Sequence, residues 1–337
     1  MPRPPRLQPA WIQAAVAAPV AIALGYAARL VGPGLGALDH PDASLKPHAR
    51  AVSYLGGLTV AAGVAAGVAT RGWPLRAGVT AAVFGAAALG LADDALRVPA
   101  VARLAVQVGL GAVMVSGLDI GVWDSPAGFV YAAGAVVLYA AALNAVNMVD
   151  GMDGLAGSLA LLSGAGIVVI AITETDHHPG LVAACLAGAV VGFLIHNLPP
   201  ARLFLGDNGS YFVGAALAVA VLQAGRSVPE LAGAAGCLGL FLVDLVLALA
   251  RRVVGRVPLH RGDRGHLYDQ LLARGRSVRW TLGVCAAAQA TLVVAGVVAA
   301  RLSTTGALVV QGIVWAAAIG ALFAFGFVTY RQEAPVA

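Results

Sequence analysis

Eleven apolar runs, separated by short charged or Gly- and Pro-containing breaks, constrain this chain more than any other feature of its sequence. A helix needs about 20 apolar residues to cross the hydrocarbon core of a bilayer. The alternating pattern of a membrane β-barrel is absent. Because only 11% of the residues are charged, a soluble fold would have too few interior positions for the apolar side chains. The sequence predicts an all-α, polytopic membrane helix bundle with about eleven transmembrane helices.

The predicted spans follow one another along the chain without a soluble domain, a long linker or an internal repeat. We therefore expect a single integral membrane domain over residues 1–337 with short exposed termini. The spans are placed at residues 11–31, 52–70, 77–92, 100–117, 127–146, 155–172, 180–196, 208–224, 230–250, 281–300 and 307–330.

Lys and Arg are divided unequally between the two sets of connecting segments. Fourteen lie in one set, eight of them in the loop 251–280, and six lie in the opposite set. Cytoplasmic loops carry the basic excess, so we expect the N-terminus outside and the C-terminus in the cytoplasm. Topology then accounts for the formal net charge of +5, and we expect no nucleic-acid partner.

Acidic residues are rare, and five of them fall at predicted cytoplasmic ends of spans: Asp93, Asp94, Asp150, Asp153 and Asp207. Two like charges about 4 Å apart cost about 4 kcal/mol at an effective dielectric constant of 20. Carboxylates combined with substrate phosphates suit Mg²⁺. The five acids together predict a metal- and phosphate-binding site, although any one of them could instead only cap or end a helix.

Five segments of this sequence, in the same order, resemble the polyprenyl-phosphate N-acetylhexosamine-1-phosphate transferases, a family that includes the phospho-MurNAc-pentapeptide translocase. They are the segment from Asp39 through Lys46 to Gly56-Gly57, the pair Asp93-Asp94 with Pro99, Arg103 and Gln107, the segment Asn147 to Asp153, the segment Asn197 through Phe204 to Ser210, and the segment His260 to Asp269.

The resemblance implies transfer of N-acetylhexosamine 1-phosphate, with GlcNAc 1-phosphate favoured, from a UDP-sugar to a polyprenyl phosphate. UMP would leave, and the product would start a lipid-linked glycan of the cell envelope. The implied setting is the cytoplasmic face of the plasma membrane, and the implied cofactor is Mg²⁺, with Mn²⁺ as an alternative. Partners would be the UDP-sugar, the lipid phosphate and the bilayer, and a homodimer is left open.

The resemblance also implies roles for individual residues. Asp207 matches the family's metal ligand, with Asp150 as a second candidate, and Phe204 matches the aromatic residue that stacks on uracil. The candidate catalytic residues are Asp93, Asp94 and His266. The candidate substrate-binding residues are Lys46, Asn147, Asp150, Asp153, Asn197, Phe204 and Arg264. Neither the residues nor the resemblance distinguishes direct attack by the lipid phosphate from a covalent aspartyl intermediate.

Two departures from the family pattern bear on the substrate. Leu45 stands where the family often has Arg before the lysine, and only His266 remains of a histidine cluster, followed by Tyr268 and Asp269. The loss of that cluster argues against the translocase and favours the GlcNAc-1-phosphate branch.

Two other classes of membrane protein and one further acid stay open at this point. A transporter or flippase predicts acids near span centres, whereas these acids lie at span ends. A CDP-alcohol phosphotransferase would show Asp-Gly-x-x-Ala-Arg, but Met152-Asp153-Gly154 follows Asp150-Gly151. Asp244, inside the ninth span, is either a partner in a buried ion pair or part of the site.

Overall fold

A computed structural model describes residues 10–39, 51–118, 125–172, 180–258 and 265–329. These segments contain thirteen α-helices and one antiparallel pair of two-residue strands. In chain order they are α1 (Ala10–Val31), β1 (Leu38–Asp39), β2 (Val52–Ser53), α2 (Gly56–Ala69), α3 (Ala77–Leu96), α4 (Ala100–Ser116), α5 (Pro126–Val149), α6 (Leu155–Ala171), α7 (Leu181–Asn197), α8 (Gly206–Ala224), α9 (Val228–Gly236), α10 (Gly239–Val254), α11 (Leu267–Ala273), α12 (Val278–Ala299) and α13 (Thr304–Ala324).

The predicted helical membrane bundle is confirmed. The eleven apolar runs correspond to α1 through α8, the pair α9 and α10, α12 and α13. By length and apolar composition, α1, α3, α5, α12 and α13 can each cross a membrane, and the bent pair α9–α10 provides a sixth candidate. Four further apolar helices, α2, α4, α6 and α7, have 14 to 17 residues, at or below the lower limit of about 17 for a span.

Serine residues start four of the helices. Ser125, Ser227, Ser277 and Ser303 each accept a hydrogen bond from a backbone N–H in the first turn of α5, α9, α12 and α13. Such caps satisfy N–H groups that have no partner within the helix. A proline lies in the first turn of α5 and of α9, directly after the cap in α5 and one residue later in α9, where its missing N–H carries no cost.

Helix α8 forms the centre of the bundle. It packs against α2, α3, α5, α6, α7 and α9, and its side chains from Asn208 to Val221 are buried. The outer helices α4 and α13 instead leave most of their apolar side chains exposed on this chain, as expected for a surface that faces lipid. The first turn of α8, which carries Asp207, is therefore fixed by surrounding helices.

The ninth predicted span differs from the expectation of one continuous helix. Helices α9 and α10 meet at an angle of 71°. Gln289 of α12 binds both sides of the break: its Oε1 accepts from the Leu240 N–H at 2.7 Å, and its Nε2 donates to the Cys237 carbonyl at 2.9 Å. A side chain from another helix thus replaces backbone hydrogen bonds that the bend removes.

Candidate active site

The site is built around the N-terminus of α8, which lies between the start of α2 and the end of α3. A Cβ atom on Gly57 would collide with Gly209 and the Asn208 side chain, and one on Gly90 would collide with the backbone of Asp207. The preceding segment is fixed as well, because the Phe204 N–H donates to Ser53 and the Gly56 N–H donates to Phe204. Gly57 and Gly90 therefore allow the start of α2, the end of α3 and the start of α8 to meet.

Asp94 caps α8 from the neighbouring helix α3. Its Oδ1 accepts from the Asp207 N–H and its Oδ2 from the Asn208 N–H, both at 3.1 Å, and the Asn208 side-chain amide adds a bond of 3.0 Å. A negative charge at a helix N-terminus also interacts favourably with the helix dipole. Asp94 is half-buried, so this carboxylate joins α3 to α8 and remains partly accessible.

Asp93, its neighbour in sequence, has a separate set of partners. It is 5% exposed and pairs with the Arg103 guanidinium of α4. Its Oδ2 also accepts from the Tyr211 hydroxyl at 3.1 Å, and its Oδ1 accepts from the Val98 N–H at 2.9 Å. The two adjacent acids therefore have different partners: Asp94 caps α8, whereas Asp93 binds Arg103 of α4 and the Tyr211 side chain of α8.

Asp207 does not cap its own helix, which excludes the interpretation of this residue as only a cap. No side chain caps α8 from the N-cap position. Instead, Asp207 Oδ1 accepts from the Asn147 side-chain amide of α5 at 2.6 Å, and the same amide contacts the Ser210 hydroxyl at 3.0 Å. Asn147 thus orients the predicted metal ligand.

Asp150 follows the last turn of α5 and faces the same group of acids. Burial raises the pKa of its carboxyl well above the ordinary value, and the charges of Asp207 and Asp94 raise it further. Within the described segments, no residue donates a hydrogen bond to its side chain. We call Asp93, Asp94, Asp150 and Asp207 the carboxylate cluster.

The donor set of the carboxylate cluster fits a hard divalent cation. Its oxygens repel one another, and Asp150 lacks a donor among the described residues, so added positive charge would stabilise the cluster. No three His, Cys, Asp or Glu side chains in the described segments are arranged to hold a metal by themselves. Mg²⁺ is usually bound by one or two carboxylates together with phosphates and water, and Asp207 and Asp150 could supply that number.

Asp153 and Asn197 connect the turns that follow α5 and α7. Asp153 Oδ2 accepts from the Ala201 N–H at 2.9 Å. Asn197 accepts from the Gly154 N–H at 3.0 Å and donates to the Leu203 carbonyl at 2.9 Å. These contacts shape the segment that leads to Phe204, and a direct contact of either residue with a nucleotide stays a prediction.

Of the remaining predicted residues, the structure describes Phe204 and His266 but not Lys46 and Arg264. Phe204 is half-buried immediately before α8, and Lys46 and Arg264 lie outside the described residues. His266 precedes α11, with its Nδ1 2.6 Å from Asp244 Oδ2 of α10. Tyr268 connects this unit to the Asp150 turn, because a Cβ on Gly151 would collide with its hydroxyl.

Two partners in the site were not proposed from the sequence. Tyr211 binds Asp93, and Ser210 contacts the Asn147 amide. Both follow Asp207 by three or four residues, the spacing that places side chains on one helix face. This spacing is the signal that could have identified them.

Known proteins similar to this chain are named as sugar-phosphate transferases. The model of glycosyl transferase family 4 matches residues 76–225, which contain the whole carboxylate cluster. A decaprenyl-phosphate N-acetylglucosaminephosphotransferase of Mycolicibacterium smegmatis is 32% identical over 301 residues, covering 74% of this chain and 72% of the relative.

Two further relatives come from other bacteria. A Bacillus subtilis protein, named as a probable undecaprenyl-phosphate N-acetylglucosaminyl 1-phosphate transferase, is 29% identical over 262 residues, with 74% of this chain and 73% of the relative covered. A phospho-N-acetylmuramoyl-pentapeptide-transferase of Moorella thermoacetica is 32% identical over 202 residues, with 54% and 62% covered.

Proposed function

This chain belongs to the polyprenyl-phosphate N-acetylhexosamine-1-phosphate transferases of glycosyl transferase family 4, and from this premise we propose its donor, acceptor and mechanism. The donor is a UDP-N-acetylhexosamine, with UDP-GlcNAc favoured, and the acceptor is a polyprenyl phosphate. An acceptor phosphate oxygen attacks the β-phosphorus of the donor, the bond from that phosphorus to the bridging oxygen breaks, and UMP leaves. The product is a lipid-linked sugar diphosphate that starts a cell-envelope glycan.

The observation that carries this proposal is the carboxylate cluster. Helices α3, α5 and α8, distant in sequence, bring four acids to one end of the bundle, with Asn147 and Arg103 as polar partners. Such a concentration of like charge is unfavourable unless a ligand offsets it. A diphosphate donor together with a divalent cation would do so, and phosphoryl transfer depends mainly on positioning and charge neutralisation.

Asp207 and Asp150 are the residues that would hold Mg²⁺, or Mn²⁺ as an alternative. The bound ion would neutralise charge on the diphosphate during transfer. Asn147 keeps Asp207 in one orientation through its 2.6 Å hydrogen bond.

Within the pair Asp93-Asp94, burial favours Asp94 as the residue that contacts the acceptor. Asp93 is 5% exposed and is paired with Arg103, whereas Asp94 is half-buried beside Asp207. We assign Asp94 the task of orienting the acceptor phosphate and accepting its proton, and Asp93 the task of holding α4 and α8 against α3.

The donor-binding roles concern residues around the segment before α8. Phe204 would stack on uracil, with Asp153 and Asn197 shaping the turn from which it projects. Lys46, His266 and Arg264 would neutralise the diphosphate. The excess of Lys and Arg in the loops of this end supports a cytoplasmic site, where UDP-sugars are available.

A transporter or flippase is the alternative from another class. Its acids would lie near the bilayer midplane, whereas the carboxylate cluster lies at helix ends. Purified protein in liposomes, given polyprenyl phosphate and a panel of UDP-sugars, tests both functions. The proposal expects UMP release with a UDP-N-acetylhexosamine only when the acceptor is present. Substrate counter-flow without UMP release would establish transport and overturn the proposal.

A further inference from the structure

We infer that Asp244 is a positioning residue that holds the imidazole of His266 beside the turn carrying Asp150. The inference rests on the proposed function, because that reaction gives His266 its task. Its basis is a unit formed by α10, the residues 265–267 and α11, which meets the Asp150 turn through Tyr268.

Asp244 uses both carboxylate oxygens on consecutive residues. Its Oδ2 lies 2.6 Å from His266 Nδ1, and its Oδ1 accepts from the Leu267 N–H at 2.7 Å. Asp244 and His266 are 2% and 5% exposed, so water competes little for either contact. With a carboxylate as its acceptor, Nδ1 carries a hydrogen, and Nε2 is the ring atom whose protonation can change.

A second set of hydrogen bonds holds the backbone of the same segment. Arg251, two turns after Asp244 on α10, donates to the Gly265 carbonyl. Gln270 of α11 donates to that carbonyl at 2.8 Å and to the Phe327 carbonyl at 2.9 Å. The backbone at residue 265 is therefore anchored independently of Asp244.

The unit adjoins the carboxylate cluster through Tyr268. The Tyr268 ring is nearly parallel to the His266 ring, at 6° and a centroid distance of 6.0 Å. Its hydroxyl lies against Gly151, which follows Asp150. Val149, Asp244 and Tyr268 line one small cavity. The orientation of His266 is thus fixed relative to the turn that carries a predicted metal ligand.

Anchoring α11 does not require a charge at position 244. An asparagine could accept from the Leu267 N–H equally well, and a carboxylate at membrane depth costs about 2.5–3.5 kcal/mol on insertion scales. The negative charge matters for the second oxygen of Asp244, because that oxygen contacts the imidazole of His266. Because the amide of Asp244→Asn would present a donor there, the substitution would move the hydrogen of a neutral His266 from Nδ1 to Nε2.

The test compares Asp244→Asn, His266→Ala and the double variant, with Gln270→Leu as a control that loosens the same segment without contacting the ring. We expect Asp244→Asn to lower kcat by about 100-fold, in the range for the loss of one electrostatic stabiliser of the transition state, with Tm and the KM for the UDP-sugar near wild type. Gln270→Leu should lower Tm and change kcat only a few-fold. The double variant should be no slower than His266→Ala, because Asp244 acts through His266.

Nitrogen NMR of labelled histidine reports the pairing without any turnover. In Asp244→Asn the nitrogen chemical shifts of His266 Nδ1 and Nε2 should interchange, because the hydrogen moves from one ring nitrogen to the other. In Gln270→Leu both shifts should stay unchanged. Wild-type kcat in Asp244→Asn or in His266→Ala, independent losses that multiply in the double variant, or unchanged nitrogen signals would each overturn the inference. An inactive wild-type protein whose signals exchange as expected would instead overturn the proposed function and leave the pairing intact.

Discussion

At the scale of single residues, the site depends on how adjacent acids are separated by their partners. Asp94 accepts the first N–H groups of α8, while Asp93 binds Arg103 and Tyr211. Asp207 is oriented by Asn147, and Asp150 faces the cluster without a donor from the described segments. Substituting one acid of the carboxylate cluster should therefore affect activity or stability differently, depending on which acid is replaced.

The first prediction concerns Asp207 as a metal ligand. Asp207→Asn keeps the shape of the side chain but removes its charge, so activity should fall by about 100-fold or more, as for the loss of one electrostatic stabiliser in an active site. Chelation should abolish wild-type activity, and Mg²⁺ should restore it. Glu230→Gln, at the start of α9, is the matched control and should stay active. Wild-type turnover of Asp207→Asn would show that Asp207 is not an essential ligand.

The second prediction concerns Phe204 as the uracil-binding residue. Base stacking on an aromatic side chain contributes roughly 1–3 kcal/mol, so Phe204→Ala should weaken use of the UDP-sugar by about 5–150-fold, while Phe204→Trp keeps most of it. Phe212→Leu in the core of α8 controls for lost packing. Separate KM values for donor and acceptor, with Tm, decide the question. An equal change in both KM values, or a loss of stability alone, would remove Phe204 from the site.

At the scale of helices and turns, the bend between α9 and α10 depends on one side chain from α12. Gln289 binds Leu240, Cys237 and the Ser163 hydroxyl of α6, all at 2.7–2.9 Å. Backbone groups without partners are costly in a membrane. Gln289 therefore makes a broken helix tolerable inside the bundle.

The third prediction follows from that contact set. Gln289→Leu leaves the Leu240 N–H and the Cys237 carbonyl without these partners, at a cost of about 1–3 kcal/mol for each buried group. Thermal unfolding in detergent should show a clear fall in Tm. Thr291→Val, on an exposed position of the same helix, is the control and should change Tm little. An equal Tm for both variants would contradict the role of Gln289.

The apolar pattern predicted the helices but not the bend or the short helix α11. Hydropathy averages over a window, and the window 230–250 is apolar on both sides of the break, so the hydropathy pattern does not mark the 71° angle. The partner that permits the bend, Gln289, lies 49 residues from Leu240 in sequence. The order of the predicted spans placed Asp94 and Asp207 at the same face, and the resemblance implied a site role for Asn147, whereas the division of roles between Asp93 and Asp94 required their contacts.

At the scale of the whole molecule, the glycines and the buried helix α8 explain why distant motifs form one site. Gly57 and Gly90 allow α2 and α3 to approach the backbone at the start of α8. Helix α5 adds Asn147 and Asp150 to that end, and α10 with α11 adds His266. The order of the predicted spans assigns most of the basic loop residues to that same end.

The fourth prediction concerns the orientation of that end in the membrane. Single cysteines at Val257 and Thr175 should be labelled from opposite sides, with the reagent that cannot cross the membrane reaching only Thr175→Cys in intact cells. The three native cysteines are buried, and the wild-type chain measures any background from them. Labelling of Val257→Cys from outside would contradict a cytoplasmic site.

In the proposed reaction the β-phosphorus of the donor moves to the lipid together with the sugar. The most direct measurement uses UDP-GlcNAc radiolabelled at the β-phosphorus, incubated with purified protein and polyprenyl phosphate, with Asp207→Asn as the inactive control. We expect the label to move into the lipid fraction in equal amount to the UMP released. Label that remains in UDP while sugar enters the lipid would show ordinary glycosyl transfer and contradict the account.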